Sequence, residues 1–260
     1  MIDTHSHLLP GLDHGCPDLQ TAVLMAREAA ESGVSTVVCT PHLPEWDEGV
    51  VGSAGLILEK VRGEVTAAGI ALELRLGFEV DLGVVAGVDM VRLAALTVEG
   101  SQGAIILEMP YYGWPPFIRE MIFRLSAAGF VPVLAHPERN ERVQRSSDLL
   151  ADCLKAGAVA QATAGSLGGA FGRDAERTFF RLISEGMISL LASDAHSFRR
   201  EGWTMGPMLR VLQGKVSRED LVVLTDSNPR KLLAGERPPE VNPDTGRVPR
   251  MGRTRRKNER

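Results

Sequence analysis

A chain of 260 residues, 44% hydrophobic and 24% charged, has room for one large barrel or sandwich, or for two small domains. Its net charge of −4 conceals a basic end: Arg237, Arg247, Arg250, Arg253, Arg255, Arg256, Lys257 and Arg260 all lie beyond residue 235, which leaves residues 1–235 acidic and argues against a nucleic-acid footprint on the core. Cys16, Cys39 and Cys153 form no CxxC pair and none has an arginine six positions on, which excludes both a disulfide framework and the C-x5-R loop of thiol-based phosphatases.

Charge and histidine arrive by residue 5, where the apolar stretch of a secretory signal would begin, so the sequence predicts a cytoplasmic chain. No apolar run reaches the roughly 18–20 residues of a membrane span. The first predicted strand, 2–5, leads to a helix over 18–32 with Asp18 as N-cap and Gly33 just past its end. Ala22, Met25, Ala29 and Ala30 share one face of it. Strands follow at 35–40, 72–78, 103–108, 131–135, 158–163 and 188–193, with helices near 53–68, 115–128, 147–156 and 173–185. Gly69, Gly129, Gly157 and Gly186 close those four helices. Continuous apolar strands suit a parallel sheet buried on both faces. About seven strand–helix units predict a single α/β domain over 1–235, closed as a complete or distorted (β/α) barrel. Residues 236–260, Pro-rich and then basic, predict a disordered tail, either solubilising or in contact with an anionic membrane surface or acidic partner.

The histidines carry the chemistry. His5 and His7 follow the first strand, His42 the second, His136 the fifth and His196 the last, while His14 lies in the first loop. Glu79, Glu108 and Asp194 occupy the ends of the third, fourth and seventh strands. Loops after the strands of such a barrel share one face, where active sites are built. His5-Ser6-His7 turns two imidazoles to one side of an extended segment. Imidazole and carboxylate without thiolate suit Mn²⁺, Fe²⁺ or Zn²⁺, and roughly eight donors suit two or three ions acting on a phosphoester. Singly these signals are weak, since a strand-end glutamate is usually a solvated acid and Asp194-Ala195-His196 can be a helix cap. Jointly they leave no histidine for surface or core duty.

Cations accompany the donors. Arg139 follows His136 by three residues and Arg199-Arg200 follow His196, and arginine's fork matches phosphate oxygens. Arg199 and Arg200 read equally well as a solvated loop pair. Tyr111, Tyr112 and Trp114, near Glu108, are either rim packing or a platform for an aromatic leaving group.

The segments Met-Ile-Asp-Thr-His5-Ser-His7-Leu-Leu-Pro-Gly-Leu-Asp-His14-Gly, Cys-Thr-Pro-His42, Gly-Phe-Glu79, Ile-Leu-Glu108-Met-Pro, Ala-His136-Pro-Glu-Arg139-Asn and Ala-Ser-Asp194-Ala-His196 resemble the PHP (polymerase and histidinol phosphatase) superfamily. More narrowly, the chain resembles bacterial manganese-dependent protein-tyrosine phosphatases of capsular and extracellular polysaccharide synthesis, from residue 1 to about 235. Gly165-Ser166-Leu167-Gly168 and a late Asn228-Pro229 helix fit the same branch. The resemblance implies a distorted, TIM-like (β/α)7 barrel with a trinuclear centre. The implied ligands are His5, His7, His42, Glu79, Glu108, His136, Asp194 and His196, with Arg139 as the family's arginine. His14 stands where the family usually has an aspartate, so one negative charge is lost from the expected ligand set. The family's second arginine falls on Glu201, with Arg199 and Arg200 just before it.

The implied reaction is hydrolysis of a phosphomonoester by metal-activated water, with Mn²⁺ as the expected ion and Fe²⁺, Zn²⁺ or Mg²⁺ as alternatives. The implied substrate is the phosphotyrosine tail of a bacterial kinase of polysaccharide synthesis. A small-molecule phosphatase of the histidinol-phosphatase kind and a non-catalytic metal-binding regulatory module stand as rivals.

Overall fold

The computed structural model describes residues 1–197 and 205–241; Arg199 and Arg200, and residues 242–260 of the expected tail, lie outside the described residues. Among the described residues nine short strands run in chain order: β1 (Ile2–Ser6), β2 (Thr36–Cys39), β3 (His42–Leu43), β4 (Glu73–Leu76), β5 (Glu79–Asp81), β6 (Ala104–Glu108), β7 (Val131–Ala135), β8 (Val159–Thr163) and β9 (Leu190–Ala192). They form two parallel sheets, β1-β2-β4 and β3-β5-β6-β7-β8-β9. The α/β architecture with parallel pairing is therefore as expected.

The strands expected at 35–40 and 72–78 are β2 and β4, and each is followed after a two-residue break by a further short strand outside the expected ranges. β2 and β3 flank Thr40-Pro41, where proline has no amide to give to a ladder, and β4 and β5 flank Gly77-Phe78. Gly77 is needed there, because a Cβ would stand 3.1 Å from Val38 Cγ1 and 3.2 Å from Val98 Cγ2. Across the break the Gly77 amide donates to Cys39 O at 2.9 Å and the Glu79 amide to Pro41 O at 3.1 Å, so the two sheets follow on from each other. After β9 the chain returns to β1: Ser6 pairs with Ala195, the His7 amide donates to Ala195 O at 2.8 Å, and the Asp194 amide to His5 O at 3.0 Å.

Both faces of β1, β2, β6, β7, β8 and β9 are buried, which explains their continuous apolar reading. Ala104, Ile106, Val131, Val133, Ala135, Val159 and Leu190 join one apolar cluster, to which Leu232 and Leu233 of the last helix belong. The alternate residues Ile105, Leu107, Leu134, Ala160, Ala162 and Leu191 belong to a second, larger cluster shared with the helices. The helix Leu19–Glu31 contributes Ala22, Met25, Ala26 and Ala29, and the Asp18 side chain accepts from the Thr21 amide as its cap. The second long helix, Glu48–Ala67, begins five residues before the expected 53, because Asp47 caps it by accepting from the Gly49 and Val50 amides. Shorter helices at Leu82–Gly87, Met90–Ala94, Glu141–Arg145, Met205–Leu212 and Arg218–Val222 have no counterpart among the expected elements.

Residues 236–241, expected to open the tail, pack on the domain. Arg237 donates to Leu154 O at 2.9 Å and Ala158 O at 3.1 Å, Asn228 Nδ2 donates to Pro239 O at 3.0 Å, and Val241 is buried. Among the described residues no helix is long and apolar enough to cross a membrane.

Candidate metal centre

The C-terminal ends of the parallel strands gather the donors. β1 delivers His5 and, one residue beyond its end, His7, both fully buried. His5 Nδ1 lies 2.9 Å from Gln161 Oε1, and Gln161 Nε2 lies 2.7 Å from Thr4 Oγ1. With Nδ1 donating to the amide oxygen, a neutral His5 presents its lone pair at Nε2. Asp13 does the same for His7: its Oδ2 accepts from His7 Nδ1 at 2.7 Å and from the His42 amide at 2.9 Å, and its Oδ1 from the Gly15 amide at 2.8 Å. His196 Nδ1 lies 2.9 Å from Asp194 O. Carboxylates and carbonyls behind the rings are the usual means of orienting metal-binding histidines.

His136 and Asp194 come from the turns just past β7 and β9. Both have left-handed backbones, φ 37° and 56°, an unfavourable conformation for residues with a Cβ. The turn aims each side chain inward, and the His136 amide is held by Gln161 O at 2.8 Å.

Four donor atoms meet at the centre. His5 Nε2 lies 3.2 Å from His7 Nε2, 3.2 Å from Glu79 Oε2 and 3.4 Å from Asp194 Oδ1. His7 Nε2 lies 3.3 Å from Glu79 Oε2 and 3.2 Å from Asp194 Oδ1. Donor atoms 3.2–3.4 Å apart can share one ion at about 2.0 Å from each, the length of a bond from nitrogen or carboxylate oxygen to zinc. Glu79 Oε2 and Asp194 Oδ1 are buried without a hydrogen-bond partner, so the residues present fit a cation between them.

Further donors surround this quartet. His42 Nδ1 lies 3.1 Å from Glu79 Oε2 and 3.5 Å from Glu108 Oε2, and His136 Nε2 lies 2.8 Å from the other Glu79 oxygen. Three sets, His5-His7-Glu79-Asp194, His42-Glu79-Glu108 and His7-His42-His196, each have ligand atoms within 4.8 Å of one another. The cluster is thus able to hold two or three ions, as the donor count suggests. His136 and His14 fall outside these sets. His14 is exposed, with its ring stacked on His42 at 4.9 Å and 4.8 Å from that of His196.

Electrostatics bind the cluster together. Burial alone would raise the Glu79 carboxyl, yet charge on His5, the hydrogen bond with His136 and the proximity of His7 hold it well below its ordinary value. Asp194 is held well below its own against the same burial, by His5, Arg139 and His7. Burial opposes charge on His5 and His7, but the carboxylates raise both, His7 the further. His196 is lowered to about 4, first by burial and then by the charge of His7.

Arg139 is buried beside the donors. Nη1 donates to Asp194 Oδ2 at 2.6 Å, Nη2 donates to Thr163 Oγ1 at 2.6 Å, and the guanidinium carbon lies 3.5 Å from the centre of the Phe171 ring. Its terminal nitrogens are thus engaged, and one of them leaves Asp194 Oδ1 for the quartet. Behind it the buried Glu138 Oε1 accepts from the Thr163 amide at 3.1 Å, Thr163 Oγ1 at 3.1 Å and Ser166 Oγ at 2.7 Å. The Tyr111 ring stacks 6.1 Å from that of His136, while Tyr112 is 82% exposed and so lies off the cluster's packing.

Asp13, Gln161 and Glu138 are missing from the expected site. Gln161 leaves a trace, since it interrupts the apolar run Val159-Ala160-Gln161-Ala162 of a strand buried on both faces. Asp13 stands next to His14, where the pattern of donors draws attention to the imidazole instead.

Parallel strands that present interlocked imidazoles and carboxylates at their C-terminal ends define an α/β protein with donor clusters able to hold two or three metal ions. The chain belongs to the capsular polysaccharide synthesis family CpsB/CapC, whose model matches residues 1–234. It is 29% identical over 231 residues to the tyrosine-protein phosphatase YwqE of Bacillus subtilis, covering 87% of this chain and 89% of that one. CapC of Staphylococcus aureus is 25% identical over 224 residues, covering 85% and 87%. The crystal structures described as YwqE from Bacillus subtilis and CpsB from Streptococcus pneumoniae, unique metal-dependent tyrosine phosphatases, include a chain that superposes with a TM-score of 0.80 at 26% identity, covering 94% of this chain and 98% of that one. An amidohydrolase from Mycoplasma synoviae shares the fold at 15% identity, with a TM-score of 0.57 and coverage of 90% and 87%.

Proposed function

We propose that this chain is a metal-dependent protein-tyrosine phosphatase. The observation that carries the reading is the buried quartet of His5, His7, Glu79 and Asp194, whose unpartnered oxygens and inward lone pairs suit a divalent ion. Its relatives, described as tyrosine phosphatases, support the substrate class. The strands, linked from β9 back to β1, fit a distorted (β/α)7 barrel.

His5, His7, Glu79 and Asp194 are the proposed ligands of a first ion. His42, Glu79 and Glu108, beside His136 on the far oxygen of Glu79, would hold a second, while His7, His42 and His196 are an alternative grouping that would draw His7 Nε2 away from the quartet, because Asp13 holds His7 Nδ1. Mn²⁺ suits the mixed imidazole and carboxylate sets, with Fe²⁺, Zn²⁺ and Mg²⁺ as substitutes. Bound ions supply positive charge opposite a phosphoryl group and make water more acidic.

The chain's own groups do the rest. Gln161 and Asp13 keep His5 and His7 in one tautomer. Arg139 fixes Asp194 and adds a permanent positive charge beside the phosphoryl site, where charge on the equatorial oxygens must be neutralised. Arg199 and Arg200 are proposed as further phosphate-facing cations. A tyrosyl leaving group, with a pKa of about 10, needs less help from a general acid than an alkyl one. The proposed substrate is the phosphotyrosine tail of a cytoplasmic kinase domain of polysaccharide synthesis, with the basic end of the chain reaching towards the membrane surface.

The test is turnover of a phosphotyrosyl peptide and of histidinol phosphate, side by side, with Mn²⁺ and with EDTA. Peptide turnover that depends on Mn²⁺ is expected. Faster turnover of histidinol phosphate makes the chain a small-molecule phosphatase. No turnover of either, with metal occupancy confirmed by elemental analysis, refutes an enzymatic role.

A further inference from the structure

We propose that Tyr111 is a specificity-determining residue of the site: its ring is the platform on which the aromatic ring of a phosphotyrosyl substrate lies, so that aryl phosphomonoesters are favoured over alkyl ones. This rests on the reading of the donor cluster as a phosphatase centre and concerns the part of the substrate beyond phosphorus.

In an aryl phosphate the ring is joined to phosphorus through a single ester oxygen. A phosphoryl group that reaches the donors therefore leaves its ring at the rim of the strand ends. The loop that leaves Glu108 at the end of β6 brings Tyr111, Tyr112 and Trp114 there, in three different settings. Trp114 is partly buried and packs against the larger apolar cluster, which anchors the loop. Tyr112 is 82% exposed and stands in solvent. Tyr111 lies against the cluster: its ring is nearly parallel to that of His136, at 11° between planes, yet the residue is 45% exposed. Burial raises its hydroxyl and the charge of Arg139 lowers it in part, which puts the phenol beside the cation proposed for the phosphoryl site. An aromatic ring that touches a polar cluster and keeps open surface gives a second ring somewhere to stack.

The platform is fixed to the same segment as Arg139. The Asn140 side chain donates to Pro110 O at 2.6 Å and Gly113 O at 3.0 Å. The Glu141 amide donates to Tyr111 O at 2.9 Å, and Glu141 Oε1 accepts from the Gly113 amide at 3.2 Å. Gly113 turns the loop there with a φ of 74°. Asn140 and Glu141 directly follow Arg139, so ring and cation keep a set spacing. An aryl ester carries a flat, rigid group that can meet both; a seryl ester does not.

Titration calorimetry of Mn²⁺-loaded protein with phenylphosphonate and methylphosphonate tests this, because neither compound has a leaving group and the ring is what sets them apart. The wild-type chain is expected to bind phenylphosphonate about 3- to 10-fold more tightly than methylphosphonate. Tyr111→Ala is expected to lose most of that preference and keep its affinity for methylphosphonate, with KM for a phosphotyrosyl peptide raised more than kcat is lowered. Tyr111→Phe, which retains the ring, and Tyr112→Ala both keep the preference. No preference in the wild type, a preference unmoved in Tyr111→Ala, or one lost equally in Tyr112→Ala overturns the platform and leaves the phosphatase reading standing. Failure of both phosphonates to bind, with no turnover of phosphotyrosyl peptide, sinks the phosphatase reading itself.

Discussion

Replacing Asp13 by alanine removes the carboxylate that orients His7, and the loss is expected to appear in metal binding. Three donors depend on this side chain: His7 Nδ1, the His42 amide and the Gly15 amide, at 2.7, 2.9 and 2.8 Å. His7 and His42 each belong to two of the three donor sets, so one substitution loosens every set. Removing such a supporting group typically weakens metal binding about 10- to 100-fold, equivalent to about 1.4–2.7 kcal/mol. Asp13→Asn separates charge from shape. Its single carbonyl oxygen serves either the His7 and His42 side or the Gly15 side, and its NH₂ then faces an N–H donor at the other. The asparagine variant is expected at the mild end of that range and the alanine variant at the severe end. Titration calorimetry with Mn²⁺ measures both. Wild-type affinity in Asp13→Ala, with the circular dichroism spectrum unchanged, would show that His7 needs no such tether and refute the account of the site.

Asp3 and the cysteines give two further tests. Burial raises the Asp3 carboxyl to about 6, partly offset by hydrogen bonds from Ser193 and His5 and by the charge of His5, so the fold favours its protonated form. The associated stability is fully present below the unfolded value near 4 and lost as pH rises through about 6, a cost of about 3 kcal/mol at pH 8. Relative to wild type, Asp3→Asn in EDTA-treated protein should therefore gain stability between pH 4 and pH 8, and urea unfolding at the two pH values checks it; a difference independent of pH contradicts the account. Cys16, Cys39 and Cys153 are buried, with thiols raised by burial to about 11, 12 and 12. Native protein should resist iodoacetamide at pH 8, by mass spectrometry, and keep its activity, whereas rapid labelling would mean that these segments open.

Much of the site is legible in the sequence because strand ends are. Donors that each follow an apolar run must meet if the runs are parallel neighbours, and His5, His7, His42, Glu79, Glu108, Asp194 and His196 do meet. What spacing cannot show is orientation. His136 turns onto the far oxygen of Glu79, and the two terminal nitrogens of Arg139 turn to Asp194 and Thr163, because local backbone and hydrogen bonds decide these directions. Asp13 and Gln161 act through other side chains, so their importance exists only once the partners are in place. The helix Glu48–Ala67 starts ahead of the expected 53: Gly49 and Gly52 count against helix by propensity, while the Asp47 cap prevails. The breaks after Cys39 and Leu76 depend on Pro41 and on the tight approach at Gly77, neither of which an apolar run reveals.

The left-handed turns at His136 and Asp194 place two demands on one residue. The backbone there would relax with glycine, by about 1–2 kcal/mol, while the chemistry needs an imidazole and a carboxylate. Glycine would relieve that strain but strip the buried Arg139 and Glu79 of their partners at 2.6 and 2.8 Å, a larger loss. The awkward backbone is therefore held in place by the very charges it serves.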